Sequence, residues 1–318
     1  MDQASFEQRN RSGEGFASNQ APSNPEPSDP IESRVTWKDF VYIAKPGILV
    51  SNMITAIGGF WIAARGNIDW MLLVWMLLGT LLVMASGCVL NNYLDRDLDR
   101  KMERTRHRPT ASGKIRPNTV LVYGISLGIV GLAILFWQVN ALSGLLGLLG
   151  LFVYVFIYTL WLKRRSVWNT VVGAIAGAMP PVIGYTAVTM EMDIGAWILF
   201  GMLFLWQPPH FWALGIMRKE DYSKAGYKML PVVKGVHASQ MSILRYVVLL
   251  VPVSVLLYMF QYVGLLYLIV AVLAGLSWVY LCVKGFTAND VNTWSRKVFV
   301  FSINYLTVVF LIMVVSAP

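Results

Sequence analysis

The chain has 318 residues, of which 56% are hydrophobic and only 14% charged, with a mean hydropathy of +0.57. A soluble domain carries about 25% charged residues, so the composition excludes an ordinary soluble protein and requires an integral membrane one. The net charge of +9 does not indicate nucleic acid, because the basic residues are distributed by topology. The two cysteines, Cys88 and Cys282, lie in or at the ends of different apolar runs, form no metal-ligand cluster, and read as packing residues.

Residues 1–34 are rich in Ser, Pro, Asn, Gly and Glu and hold almost no aliphatic side chains. The expectation is a disordered cytoplasmic tail. It has no apolar core to make it a secretory signal, and its six acidic residues argue against a mitochondrial transit peptide. Val35 to Ala44 is amphipathic, with Trp37, Phe40, Val41 and Tyr42, and is expected at the membrane surface. Nine apolar runs of spanning length follow: 46–64, 70–90, 118–138, 141–162, 168–188, 195–217, 244–261, 263–283 and 298–316. Residues 35–318 thus read as one all-α domain of nine transmembrane helices. All 26 Lys and Arg except Arg65 fall on the side shared by the N-terminal tail and the links after the even-numbered spans. The positive-inside rule assigns that side to the cytoplasm and the C-terminus to the outside.

Two cytoplasmic links carry most of the polar chemistry. The first opens with Asn91-Asn92-Tyr93-Leu94-Asp95-Arg96-Asp97-Leu98-Asp99. On a helix, Asn91, Asp95 and Asp99 share one face at roughly 6 Å per step. Such a row is either a solvated helix cap or a set of oxygen ligands for a hard cation. Mg²⁺ binds through one or two carboxylates plus a substrate phosphate. Asp97 is out of phase and has Lys101 at i+4 for a partner. Arg96, Arg100, Lys101, Arg104, Arg106 and Arg108 crowd the same segment and suit phosphate oxygens. Carboxylates and arginines together fit an Mg²⁺-diphosphate better than a bare metal or a bare anion.

The second link, four helices later, runs from Arg218 to about Gln240 and carries Asp221 and Gly226. Asp221 is either a second acidic group facing the first motif across a common mouth or a solvated helix end. The span before it holds Trp206-Gln207-Pro208-Pro209-His210-Phe211-Trp212. Two prolines are expected to kink or open that helix. His210 and Asp221, eleven residues apart, are expected on one face about 16 Å from each other. His210 makes either a helix–helix hydrogen bond or a porphyrin contact, as an axial ligand or to a propionate. Asn52 and Asn169 either line a cavity or bond a neighbouring helix. Gly173, Ala174, Gly177 and Ala178 read as a close-packing face, and Pro180-Pro181 as a break beyond it.

A metal–diphosphate site at the mouth of an apolar bundle implies a diphosphate with a lipid tail, and prenyl diphosphates fit. A haem or lipid transporter is the competing class, but no charge lies deep in a span. A phosphoalcohol transferase wants a glycine–arginine pattern where this chain has Met84-Ala85-Ser86-Gly87.

The motif Asn91-Asn92-x-x-Asp95-x-x-x-Asp99 resembles the first aspartate-rich motif of the UbiA superfamily of intramembrane prenyltransferases. Its continuation through Met102, Arg104-Thr105 and Arg108-Pro109 is similar to the branch of protohaem IX farnesyltransferases (haem O synthases). So are Lys45-Pro46-Gly47, Trp206 to Leu214, and the stretch from Asp221-Tyr222 through Ala225-Gly226 to Met229-Leu230-Pro231 and Gly235. The resemblance covers about residues 37–316. It implies nine helices around a central cavity and transfer of the farnesyl group of farnesyl diphosphate to a vinyl group of haem B. Water ends that reaction and gives haem O. It also implies Mg²⁺ held by Asn91, Asp95, Asp99 and Asp221, diphosphate contacts from Asn92, Arg104 and Arg108, and a haem contact from His210. The product would pass to a haem A synthase or a terminal oxidase. Tyr222 stands where many superfamily members have the second residue of an Asp-Asp pair, which points to a differently built second site. Another UbiA acceptor, a quinone precursor or a chlorophyll-type molecule, is the alternative within the superfamily. The acidic tail favours a bacterial plasma membrane over a mitochondrial one.

Overall fold

The computed structural model describes residues 34–317; the expected tail falls almost wholly outside them. From Val35 onward the chain is one compact all-helical unit. Its helices are α1 (Trp37–Ile43), α2 (Pro46–Ala64), α3 (Trp70–Asp99), α4 (Pro117–Val139), α5 (Ala141–Arg165), α6 (Asn169–Thr189), α7 (Ile194–Met217), α8 (Gly235–Met259), α9 (Leu265–Thr287) and α10 (Val291–Val315). Two short helices, Lys219–Lys224 and Leu230–Val233, lie between α7 and α8.

Eight of these, α2 to α6 and α8 to α10, are long and apolar enough to cross a membrane. The expected ninth is α7. It has 24 residues but is not among the eight, because Gln207, Pro208, Pro209 and His210 interrupt its apolar run. The prolines do not open it: α7 is continuous through Pro208 and Pro209. Proline's φ is already helical, and what it removes is a hydrogen bond to the carbonyl four residues back. Trp206, Gln207, Pro208 and Pro209 are all buried, so packing holds the helix where hydrogen bonding is lost. At Pro180-Pro181 the outcome is the opposite. Asn169–Gly177 ends at Ala178, and the prolines stand in the first turn of Met179–Thr189, where a missing N–H costs nothing.

Helix α3 positions the site. Asp69 caps its start by accepting from the Met71 and Leu72 amides. Its 30 residues reach about 45 Å at 1.5 Å per residue, against a hydrocarbon core of about 30 Å. Its last turns therefore carry Asn91 to Asp99 out of the hydrocarbon without a break. Helix α5 contains a π-helical stretch, Val153–Leu162, whose wider turns set the direction of Thr159 and Lys163. Helices α2 and α6 cross closely. A Cβ at Gly59 would lie 2.0 Å from the Pro181 carbonyl oxygen, and one at Gly184 would lie 2.0 Å from that of Ala56. The expected small-residue face on α6 also packs: Gly173 meets Tyr158, Gly177 meets Gln207, and Ala174 is fully buried.

Candidate active site at the mouth of the bundle

The three residues expected in phase on α3 are in phase and buried: Asn91 is 3% exposed, Asp95 1% and Asp99 2%. Asp97 points away into solvent. It lies 3.9 Å from Arg96 and 4.0 Å from Arg100, not against Lys101 as its spacing suggested. The helix ends at Asp99 with Arg100 as its cap, so i+4 geometry does not extend to Lys101.

Each buried carboxylate has cationic partners from other segments. Asp95 Oδ2 accepts from Lys163 Nζ of α5 at 2.5 Å and from Asn91 Nδ2 at 2.9 Å. Arg164 stands 3.7 Å from Asp95 Oδ1, which is buried and accepts no hydrogen bond. Asp99 Oδ2 accepts from Arg108 Nη1 at 2.7 Å. The same Arg108 nitrogen reaches Asn92 Oδ1 at 3.2 Å. Asn91 also donates to Thr159 Oγ1 at 3.1 Å and accepts from Lys45 Nζ at 2.7 Å. Lys45 precedes α2 in a left-handed conformation, φ 59°. Burial is the main cause that pushes its ammonium down to about 8.

The second loop reaches this mouth through an unexpected residue. Tyr227 is buried beside Met102, Ala225 and Met229, so the two loops pack on one another. Lys163 Nζ lies 4.7 Å from the centre of the Tyr227 ring. Asn169 ties the loop down by donating to the Lys228 carbonyl at 2.9 Å. Asp221 is not gathered with Asp95 and Asp99. It lines a groove of about 570 Å³ with Arg218, Glu220, Asn289, Asp290 and Asn292. Nor does it continue the face of His210, because α7 stops at Met217 and Arg218 leaves helical geometry. Arg104 is exposed.

Among the described residues no three or more His, Cys, Asp and Glu converge as a metal cage. What α3 offers is two carboxylates and an amide, with one buried carboxylate oxygen free. That donor set fits Mg²⁺, which takes one or two carboxylates and fills its shell with water and substrate phosphate. Three cations, Arg108, Lys163 and Arg164, stand against the two carboxylates and a fourth, Lys45, against the Asn91 amide oxygen, and the surplus favours an anionic ligand.

Sequence reasoning missed Lys45, Thr159, Lys163, Arg164 and Tyr227. Lys163 and Arg164 lay in a basic cluster that read as topology only. Lys45 lay in a motif quoted without a role. Asn52 donates to the Ile48 carbonyl of its own helix, and both cysteines are buried and free.

Inside the bundle, His210 of α7 bonds to Ser302 of α10: Nδ1 and Oγ are 2.7 Å apart. Trp206 Nε1 donates to the Ser302 carbonyl at 2.8 Å. The helix–helix hydrogen bond foreseen for the histidine is thus present.

A profile of the UbiA prenyltransferase family matches residues 52–304. The chain is 46% identical over 296 residues to protoheme IX farnesyltransferase 1 of Bacillus subtilis, covering 90% of this chain and 92% of that protein. It is 45% identical over 280 residues to protoheme IX farnesyltransferase of Klebsiella pneumoniae, covering 88% and 95%. Among solved structures, a digeranylgeranylglyceryl phosphate synthase aligns with TM-score 0.75 at 22% identity over 88% of this chain and 97% of its own. A UbiA homologue from Archaeoglobus fulgidus, bound to GPP and Mg²⁺, aligns with TM-score 0.65 at 18% identity over 86% and 99%.

Proposed function

The chain belongs to the UbiA prenyltransferase family, and from that premise we propose that it transfers the farnesyl group of farnesyl diphosphate to a vinyl group of haem B, giving haem O. The observation that carries the diphosphate half is the pair of buried, in-phase carboxylates held by three cations, with a fourth on the Asn91 amide. Relatives named protoheme IX farnesyltransferase, matched over about nine-tenths of the chain, support haem as the acceptor.

In this reading Asn91, Asp95 and Asp99 hold Mg²⁺, which supplies Lewis-acid stabilisation of the departing diphosphate. Lys45, Lys163, Arg164 and Arg108 face the same headgroup and take up the charge that develops on it. Asn92 orients Arg108 through its Oδ1. Arg104 assists from the exposed side of the loop. Asp221 would act only from its own groove beside Arg218 and Asp290, on the loop whose Tyr227 packs against Met102. The C1–O bond of farnesyl diphosphate breaks with its electron pair leaving on the diphosphate. The terminal carbon of the haem vinyl group attacks C1, and the cation left on the neighbouring carbon is captured by water, which loses a proton. The apolar interior keeps water from the allylic cation until the vinyl group has reacted. His210 contacts the haem.

The protein is an integral membrane enzyme. Its charge asymmetry supports a cytoplasmic N-terminus and motif loops with the C-terminus outside, and its bacterial relatives support a bacterial plasma membrane. A haem A synthase or a terminal oxidase would receive the product.

The test is incubation of the purified protein in detergent with haem B, farnesyl diphosphate and Mg²⁺, with mass detection of farnesylated haem and Asp95→Ala in parallel. Haem O from the parent and none from the variant is expected. Prenyl transfer only to a different aromatic acceptor would overturn the haem assignment. No consumption of prenyl diphosphate by the parent would overturn the reaction itself.

A further inference from the structure

His210 is held on both ring faces and at Nδ1, with Phe211 beside it at 85°, centroids 5.3 Å apart. Its plane lies at 19° to that of Trp206, centroids 4.8 Å apart, and at 28° to that of Phe299, centroids 4.5 Å apart. Trp206 and Phe299 form no ring pair with each other among the described residues, so they take opposite faces of the imidazole. Nδ1 is engaged by Ser302 Oγ at 2.7 Å. That hydroxyl in turn donates to the Phe299 carbonyl at 2.6 Å. A serine hydroxyl has one proton. With that proton on the carbonyl, Oγ accepts, and the imidazole must carry its proton on Nδ1. Nε2 of the neutral ring is left with a bare lone pair. Among the described residues it has no hydrogen-bond partner, and His210 is half-buried rather than fully enclosed.

We propose that His210 Nε2 is the axial ligand of the haem B iron and that Ser302 is the positioning residue that fixes its tautomer. This rests on haem B being the acceptor. The geometry separates ligation from the other haem contacts a histidine makes. A porphyrin cannot stack on a ring whose two faces are occupied. A propionate needs a donor, and an unprotonated Nε2 only accepts. An iron atom needs that lone pair, presented edge-on with the ring orthogonal to the porphyrin. Metal-ligating histidines characteristically give their other N–H to an acceptor that fixes tautomer and orientation, which is what Ser302 does. His210 lies seven residues before Met217 at the end of α7, about 10 Å along the axis. Ligation there sets the iron about that far along α7 from the loop end of the helix.

The experiment is titration of the full-length protein in detergent with haem B, without prenyl diphosphate, followed by reduction and resonance Raman. The parent is expected to show an iron–histidine stretch. His210→Ala loses the band and weakens haem binding, and added imidazole restores the ligation. Ser302→Ala weakens haem binding about tenfold or more, and Ser302→Thr recovers most of it. Farnesyl diphosphate affinity is unchanged in all of them. An iron–histidine band that survives in His210→Ala, or one absent from the parent, overturns the ligation. Haem binding by Ser302→Ala equal to that of the parent overturns the role of Ser302. A parent that ligates haem through His210 yet makes no farnesylated haem overturns the catalytic reading and leaves this inference standing. A parent that makes haem O while His210→Ala keeps the band does the reverse.

Discussion

At the mouth of the bundle, Asp95 is gripped by two adjacent cations of α5, Lys163 and Arg164, and by an amide from its own helix. Inside the bundle, His210 is gripped by two ring faces and one hydroxyl. The difference follows from what each place must bind. A buried carboxylate requires paired charges and hydrogen bonds to exist at all, and those same charges suit the diphosphate of the proposed reaction. A neutral imidazole costs far less within the membrane, and stacking fixes it without introducing a second charge. The mouth is therefore assembled from several segments and depends on all of them. The contacts that hold the histidine come from α7 and α10.

The comparison is broken most sharply by removing the proposed metal ligands. Asp95→Ala, or chelation of Mg²⁺, is expected to cut diphosphate release a hundredfold or more while the haem absorption spectrum stays as in the parent. A simultaneous loss of haem binding would mean that the two regions are one. Next in size, Lys163→Met leaves Asp95 buried without its closest partner. Breaking such a pair destabilises by about 3–5 kcal/mol, read as a lower melting temperature in detergent, and Lys163→Arg should recover much of it. A smaller effect is expected at Gly177→Ala. A Cβ there would lie 2.1 Å from the Gln207 amide, three residues before His210. Displacing that side chain is expected to cost about 1–3 kcal/mol and to weaken haem more than farnesyl diphosphate. Equal weakening of both would show that α7 couples the pocket to the mouth.

The contrast also explains what could be read from the chain without its structure. The α3 row was legible because Asn91, Asp95 and Asp99 belong to one helix, and their spacing is their geometry. The spans and their sidedness were legible because apolar length and basic asymmetry are local quantities. Lys163 and Tyr227 were not legible. Each becomes a site residue only by standing against Asp95 or its partner across sixty or more positions, and nothing local marks that contact. The tautomer of His210 was equally hidden, since it is decided by Ser302, ninety-two residues away. The break at Pro180-Pro181 and the unbroken α7 at Pro208-Pro209 carry the same dipeptide. Only packing distinguishes them.

The smallest effect is expected where α1 straps the mouth. Asn92 Nδ2 donates to the Ile43 carbonyl at 2.6 Å, so the end of α1 helps to hold the residue that orients Arg108. Two further contacts fasten α1. One is the Asp39–Lys114 ion pair at 2.9 Å; the other is Phe40 edge-on to Tyr123, centroids 5.2 Å apart. The hydrogen bond from Lys114 is the main cause holding the Asp39 carboxyl below its ordinary value of 3.8. The pair therefore contributes fully above that value and is lost only as pH falls below it, with no change across neutral pH. It is also part-exposed and open to salt, whereas Ile43 and Ile115 pack in a small buried cluster beneath α1. Asp39→Asn should therefore lower kcat/KM for farnesyl diphosphate no more than severalfold, and molar salt should erase the difference. A loss as large as the hundredfold expected of Asp95→Ala, persisting in high salt, would mean that the ion pair rather than the apolar contacts fastens α1. The grip on Asn92 would then belong to the same charge network as Asp95.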